Sequence, residues 1–195
     1  MNATEKKKRA VGLAVTASYC TFSRLFDILP RLCEEYEVFP IVSFNTSSHD
    51  SRFIRASETL ERLSSVTGNK CIETIAEAEP IGPKKLLDLL IIAPCTGNTL
   101  GKLASGIYDT PVTMAYKSHM RNHRPCLIAI STNDGLSGSA ANIGKLLNTK
   151  NVFFVPFGQD DPEGKERSLI SDMSLLPKAA KSALEYRQLQ PLLLK

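Results

Sequence analysis

The sequence predicts a doubly wound α/β domain, a single parallel sheet with helices on both faces. Three observations carry this. Short β-branched runs bounded by turn residues recur along the chain, amphipathic stretches with helical spacing separate them, and several of the runs are almost continuously apolar. Continuous apolar strands are what a parallel sheet needs when helices cover both of its faces.

Taken in order, strands are expected at residues 11–16, 38–44, 89–93, 126–131 and 152–155, with a weaker one at 71–75. Phe22, Leu25, Phe26, Leu29, Leu32, Cys33 and Tyr36 mark one face of a first helix, which Pro30 should kink. Phe53, Ile54, Ser57, Leu60 and Leu63 mark a second, stopped near Gly68. A third should run from Thr96 to Gly106, starting just after Pro94 and closing on a glycine suited to a left-handed cap. Ile143 to Leu147 belong to a fourth, and residues 172–186 form the last. The alternation gives a Rossmann-like (flavodoxin-like) sheet of about five or six strands. Residues 1–8 are expected to be a flexible N-terminal segment and 9–195 a single domain.

Composition excludes several classes. Hydrophobic residues at 43% and charged residues at 23% match an ordinary globular chain. The net charge of +4 owes much to Lys6, Lys7, Lys8 and Arg9, a solvated terminal run without the interleaved aromatics of a nucleic-acid surface. Cys20, Cys33, Cys71, Cys95 and Cys126 are odd in number and lack CxxC spacing, which fits free thiols in a reducing cytosol and no metal site. No apolar run reaches the length of a membrane span, and residues 11–17 are too short for a signal-peptide core. A cytoplasmic protein that binds neither membrane nor nucleic acid is expected.

In a doubly wound sheet, ligands bind outside the carboxyl ends of the strands. That places the loops at 17–21, 43–49, 94–99 and 131–138 on the functional edge. The glycine-rich dinucleotide loop, the P-loop and the HExxH zinc helix are all absent from the sequence, so NAD and ATP binding by their usual loops are disfavoured. Hydroxyl and amide groups occur there instead. Thr16, Ser18 and Thr21 follow the first strand; Ser43, Asn45, Thr46 and Ser47 the second; Thr96, Asn98 and Thr99 the run at 89–93. Any one cluster is explained by helix capping. Three at equivalent strand ends point to a phosphate held at helix N-termini.

The segment from Ala93 to Asp109, APCTGNTLGKLASGIYD, resembles the P-x-x-x-N-T-x-x-K-x-A-x-G-x-x-D motif of the homo-oligomeric flavin-containing Cys decarboxylase-like flavoproteins. Val15-Thr16-Ala17-Ser18 is similar to the V-T-G-S of that family, with Ala17 for glycine. The resemblance implies an FMN site built from Thr16, Ser18, Ser43, Pro94, Cys95, Thr96, Asn98 and Thr99. Ser18 and Ser43 would meet the phosphate or ribityl chain, Pro94, Cys95, Thr96 and Asn98 would line the flavin, and Thr99 would cap the following helix. Cys95 has no neighbouring histidine in sequence to activate it, which favours lining over nucleophilic attack. Lys102, Gly106 and Asp109 also match, and fit equally a surface cation, a cap and a turn or interface carboxylate. The resemblance further implies a homo-oligomer, trimeric or dodecameric.

Two segments depart from the decarboxylases. Ala78-Glu79-Pro80-Ile81-Gly82 stands where their catalytic histidine would be, and Ile130-Ser131-Thr132-Asn133-Asp134 replaces P-x-M-N, keeping only Asn133. The latter segment, with Ala141-Asn142-Ile143-Gly144 and the stretch from Val155 to Pro162, resembles the B chains of dipicolinate synthases. That resemblance implies a flavoprotein subunit helping to dehydrogenate dihydrodipicolinate, or its hydroxytetrahydro precursor, to dipicolinate during sporulation, with NAD(P) on a partner A chain. An FMN-dependent decarboxylase or prenyl-transfer enzyme, and a non-catalytic FMN-binding scaffold, remain open alternatives. For a dicarboxylate substrate, Lys117, His119 and Arg121, in a basic stretch continued by His123 and Arg124, are candidate partners, with Asn133 a candidate ligand at a strand end. The same stretch fits a solvated loop, and no proton acceptor is assigned.

Overall fold

A computed structural model describes residues 8–194. The expected flexible segment lies outside the described residues except for Lys8, whose ammonium donates to the Cys33 carbonyl at 2.7 Å. Five strands, β1 (Arg9–Val15), β2 (Tyr36–Val42), β3 (Leu89–Cys95), β4 (Cys126–Thr132) and β5 (Val152–Phe154), run parallel in the order β2-β1-β3-β4-β5. This is the flavodoxin-like order, and the chain reverses its direction of travel across the sheet between β1 and β3.

Alternate strand residues feed two cores. Val11, Leu13, Val15, Leu89, Ile91, Ala93, Leu127 and Ala129 pack under α1 (Phe22–Glu35) and α8 (Leu176–Leu184). Ala14, Leu90, Ile92, Cys126, Ile128 and Ile130 face the other way, toward α4 (Ile75–Ala78), α5 (Gly97–Ser105), α6 (Pro111–Met120) and α7 (Ala140–Leu147). All seven residues of β3 are buried, which accounts for its unbroken apolar run. Two further helices, α2 (Phe44–Ser48) and α3 (Ala56–Thr67), lie between β2 and α4.

Several expectations change. Residues 71–75 form no strand: Ile72 makes a single bridge to Ile41, and Thr74 then opens α4 through a capping box with Glu77. Helix α3 begins at Ala56, so Phe53 and Ile54 precede it and Phe53 is exposed. Helix α1 ends at Glu35, and Tyr36, read as part of its apolar face, opens β2 instead. Helix α6 occupies much of the stretch read as a basic loop, with Thr110 capping and Pro111 at its first turn. Beyond β5 the chain forms an antiparallel hairpin, β6 (Phe157–Asp161) and β7 (Lys165–Ser171). Ile170 and Leu169 pair with Ser131 and Thr132, so the hairpin prolongs the sheet past the carboxyl end of β4.

Candidate functional site

The carboxyl edge of the sheet is held together by hydroxyl groups. Thr16, 1% exposed, donates through Oγ1 to the Pro94 carbonyl at 2.8 Å and accepts from the Thr96 amide at 3.0 Å. It therefore ties the end of β1 to the loop after β3. Ser18 and Thr21 each share a 2.7 Å hydrogen bond with the Ser131 hydroxyl, joining the start of α1 to the end of β4. Ser43 caps α2, accepting from the Thr46 amide, and Thr46 donates to the Val15 carbonyl.

The loop after β3 turns into α5 with Thr96 as its cap; Thr96 Oγ1 accepts from the Thr99 amide at 3.3 Å and pairs with the Thr99 hydroxyl at 3.1 Å. The next amides, of Gly97 and Asn98, are first-turn N–H groups without intrahelical acceptors, at the positive end of the helix dipole. Gly97 has a steric reason. A Cβ there would lie 2.6 Å from Thr132 Oγ1, 2.7 Å from Asp134 Oδ1 and 2.7 Å from Ser139 Oγ. Those three groups form a network of their own, with Asp134 Oδ1 accepting from Thr132 at 2.5 Å and from Ser139 at 2.8 Å.

Two adjoining depressions open on this edge. The larger, about 540 Å³, is lined by Ala17, Ser18, Tyr19, Cys20, Arg52, Phe53, Thr96, Gly97, Asn98, residues 131–134 and, from the hairpin, Asp160, Lys165, Ser168, Leu169 and Ile170. The smaller, about 280 Å³, is lined by Thr16, Ala17, Ser43, Phe44, Asn45, Thr96, Asn98, Thr99, Lys102 and Thr110. Ala17, Thr96 and Asn98 border both. The larger has the size of a small-molecule site, and it lies where strand order reverses.

Six of the eight residues expected round a cofactor thus converge on these depressions: Thr16, Ser18, Ser43, Thr96, Asn98 and Thr99. Pro94 and Cys95 do not. A register shift between Ile92 and Cys95 turns the Cys95 thiol into the core beside Leu100 and Ile130, where it is fully buried and its pKa is pushed up by desolvation. An inert core thiol results, and the loop presents its following residues instead. Lys102 and Asp109 pair at 2.8 Å, and Gly106 closes α5 at φ +70°.

The expected dicarboxylate partners are not brought together. Asn133 is exposed at the larger cleft. His119 is buried at the far end of α6, with Nε2 2.8 Å from the Pro125 carbonyl, and burial lowers its pKa to about 4. Arg121 caps that end of α6, where its side chain approaches Gly82 in the segment leading into β3. Lys117 lies over the Tyr108 ring at 5.3 Å. These three residues sit on α6, away from the cleft lining, because the stretch is a helix running back toward the amino ends of the strands. The cleft draws its cations from Arg52 and Lys165, which sequence reasoning missed. The signal for Lys165 was the turn Asp161-Pro162-Glu163-Gly164 between alternating segments. Arg52 carried none.

A Flavoprotein family model matches residues 1–173. The chain is 44% identical over 188 residues to the dipicolinate synthase B subunit of Bacillus subtilis (strain 168), covering 96% of this chain and 94% of that one. It superposes on the crystal structure of the dipicolinate synthase B subunit from Bacillus halodurans C with a TM-score of 0.88 and 38% identity, over 97% of each chain. The FMN-binding protein AtHal3 shares the fold at a TM-score of 0.64 and 20% identity, over 90% of this chain and 96% of that one. The match across most of the sequence, with the strand-end cleft where such a fold binds its ligand, places the chain in the Flavoprotein family.

Proposed function

We propose that this chain is the B subunit of a dipicolinate synthase and that it holds FMN at the carboxyl edge of the sheet. The observation that carries the reading is the convergence of three strand-end loops, hydroxyl-rich and joined to one another, on a cleft beside the first turn of α5. Family membership and the name of the subunits it resembles support the same reading.

The donor set fits the cofactor. Asn98 offers its side-chain amide to a ribityl chain, and the free amides of Gly97 and Asn98 face a phosphate favourably, on a rim that Ser18 and Thr96 hold in place. Thr16 and Ser43 position those groups by accepting from the Thr96 and Thr46 amides, and Thr99 does so through its amide and hydroxyl, both bonded to the Thr96 hydroxyl. Bound flavin supplies a hydride acceptor for making an aromatic ring. The chain's own share is to orient substrate beside the flavin and limit water. Asp134, fixed at Oδ1 by two hydroxyls at the cleft, is a carboxylate able to take the accompanying proton.

The wider setting belongs to the same proposal: a partner A chain carrying NAD(P), a homo-oligomeric assembly, and the cytoplasm of a spore-forming bacterium. Among the described residues no helix is long and apolar enough to cross a membrane. Purified chain should show a flavin absorbance band or acquire it on adding FMN, and anaerobic addition of precursor with the A chain should bleach it. No band and no FMN uptake would refute the flavin reading; an unbleached flavin during product formation would reduce the chain to a scaffold.

A further inference from the structure

The larger cleft has a polar floor and a separate outer rim, and the rim belongs to two segments outside the Ala93–Asp109 motif. Arg52 and Phe53 come from the connection between α2 and α3; Lys165 and Asp160 come from the hairpin. Among the described residues, Arg52 and Lys165 are the cationic side chains lining this cleft.

We infer that Arg52 and Lys165 are a two-point anion clamp that selects a flat dicarboxylate over a monocarboxylate, with Phe53 as the surface beside its ring. The inference rests on the proposed dipicolinate reading and names the side chains that would recognise that substrate.

Each cation is held in a way that leaves donors free. The Arg52 guanidinium carbon is 4.7 Å from the centre of the Phe53 ring. A cation–π contact uses none of the guanidinium N–H donors in a hydrogen bond, so its fork remains for a carboxylate. Phe53 itself is 53% exposed, a large apolar surface that the fold leaves uncovered at the cleft. Lys165 Nζ lies 2.7 Å from Asp160 Oδ2, which uses one of its three donors and restrains the long side chain. Asp160 also balances Lys165 while the cleft is open, so the pair does not form an unmatched charge.

Two cations on two segments suit an anion with two separated charges. A ligand with one carboxylate can satisfy one cation or the other, whereas a ring bearing carboxylates on both sides of its nitrogen offers a partner to each. The same ligand brings a planar ring beside Phe53, whose exposed surface away from Arg52 adds an apolar contact to the charge contacts. The basic residues of α6 cannot take this role from within the same cleft, since they do not line it.

The test uses FMN-loaded chain and calorimetric titration with pyridine-2,6-dicarboxylate and with pyridine-2-carboxylate. Wild type should bind the dicarboxylate at least tenfold more tightly. Arg52→Gln and Lys165→Gln should each weaken dicarboxylate binding about tenfold and bring it toward the monocarboxylate value, with FMN affinity and unfolding temperature unchanged. Lys117→Gln and Arg121→Gln should leave both ligands as in wild type. Dicarboxylate binding within twofold of wild type in either cleft variant, or no dicarboxylate binding by FMN-loaded wild type, overturns the clamp and leaves the flavin reading intact. A chain that takes up no FMN refutes that reading instead.

Discussion

Replacing Thr16 by valine removes one buried hydroxyl at nearly constant shape and so isolates the tie between β1 and the loop after β3. The hydroxyl makes two bonds, to the Pro94 carbonyl at 2.8 Å and from the Thr96 amide at 3.0 Å. Pro94 keeps a second donor, the Thr16 amide at 3.3 Å, whereas the Thr96 N–H loses the acceptor that Thr16 supplied. One lost bond at about 1 kcal/mol and one stranded donor at about 1–2 kcal/mol give a destabilisation of about 2–3 kcal/mol. For a chain of this length that lowers the unfolding temperature by about 5–10 °C. Thr16→Ser is the control: it keeps the hydroxyl and loses one buried methyl, worth about 1 kcal/mol. Thermal unfolding of the FMN-free chain should therefore rank wild type above serine above valine, and an FMN titration should show weaker binding for valine than for serine. Valine at or above serine in either assay would refute the reasoning, because packing and not hydrogen bonding would then hold the loop.

Gly97→Ala should cost about 1–3 kcal/mol in thermal unfolding and weaken FMN binding, since the new Cβ meets three oxygens within 2.7 Å; an unchanged unfolding temperature would mean the loops separate freely. Asn98→Ala, at an exposed first-turn position, should lower FMN affinity in a fluorescence titration while leaving unfolding within about 0.5 kcal/mol of wild type, and undiminished affinity removes Asn98 from the site. Thiol labelling of native protein should modify Cys20 before the buried Cys71, Cys95 and Cys126, and FMN should slow it; labelling of Cys95 ahead of Cys20 would contradict the register shift in β3. His119 has a folded pKa of about 4, below the ordinary 6.5, because it is buried, with Arg124 opposing its charge and Asp88 favouring it. The unfolded chain binds this proton first, so the stability contributed by neutral His119 is complete above pH 6.5 and is lost as pH falls toward 4, by on the order of 3 kcal/mol. His119→Asn should flatten the stability curve of the FMN-free chain between those values; an equal slope in both proteins would show that other groups set it.

The parallel core was legible because its strands obey a simple rule: where both faces are covered the residues must be apolar, and Val11–Val15 of β1, all of β3 and Cys126–Ile130 of β4 are. The cap chemistry at Ser43 and Thr96 was legible for a similarly local reason. What escaped was decided by tertiary contact. Residues 71–75 carry strand-forming side chains, yet only Ile72 meets β2 before the Thr74–Glu77 capping box turns the chain into α4. Helix α6 buries several polar side chains, including Thr113, Ser118 and His119, so its apolar face is blurred and its basic residues look like a loop. Residues of the hairpin alternate weakly because β7 is exposed at Lys165–Arg167 and buried only where it reaches β4. Cys95 was misplaced for another reason: the motif resemblance put it in a loop after a strand ending at 93, whereas β3 runs on to Cys95 and the irregularity after Ile92 leaves its side chain in the core with Ile92 and Ile130.

That last difference alters how the hydroxyl-rich edge should be understood. Serine and threonine at strand ends suggested groups waiting for a phosphate, but most of these hydroxyls are already engaged. Thr16 binds the loop after β3, Ser18 and Thr21 bind Ser131, Ser43 binds Thr46, and Thr96 binds Thr99. Their first effect is to lock four connections into one rigid rim, so that the cleft exists before a ligand arrives and little ordering cost falls on binding. The groups left over are then few and specific: the amides opening α5, the Asn98 side chain, the second oxygen of Asp134 and the cations of the outer rim. A hydroxyl-to-alanine change on this edge should therefore act mainly through the shape of the rim, whereas changes at Asn98, Arg52 or Lys165 should act on the ligand with the fold left in place.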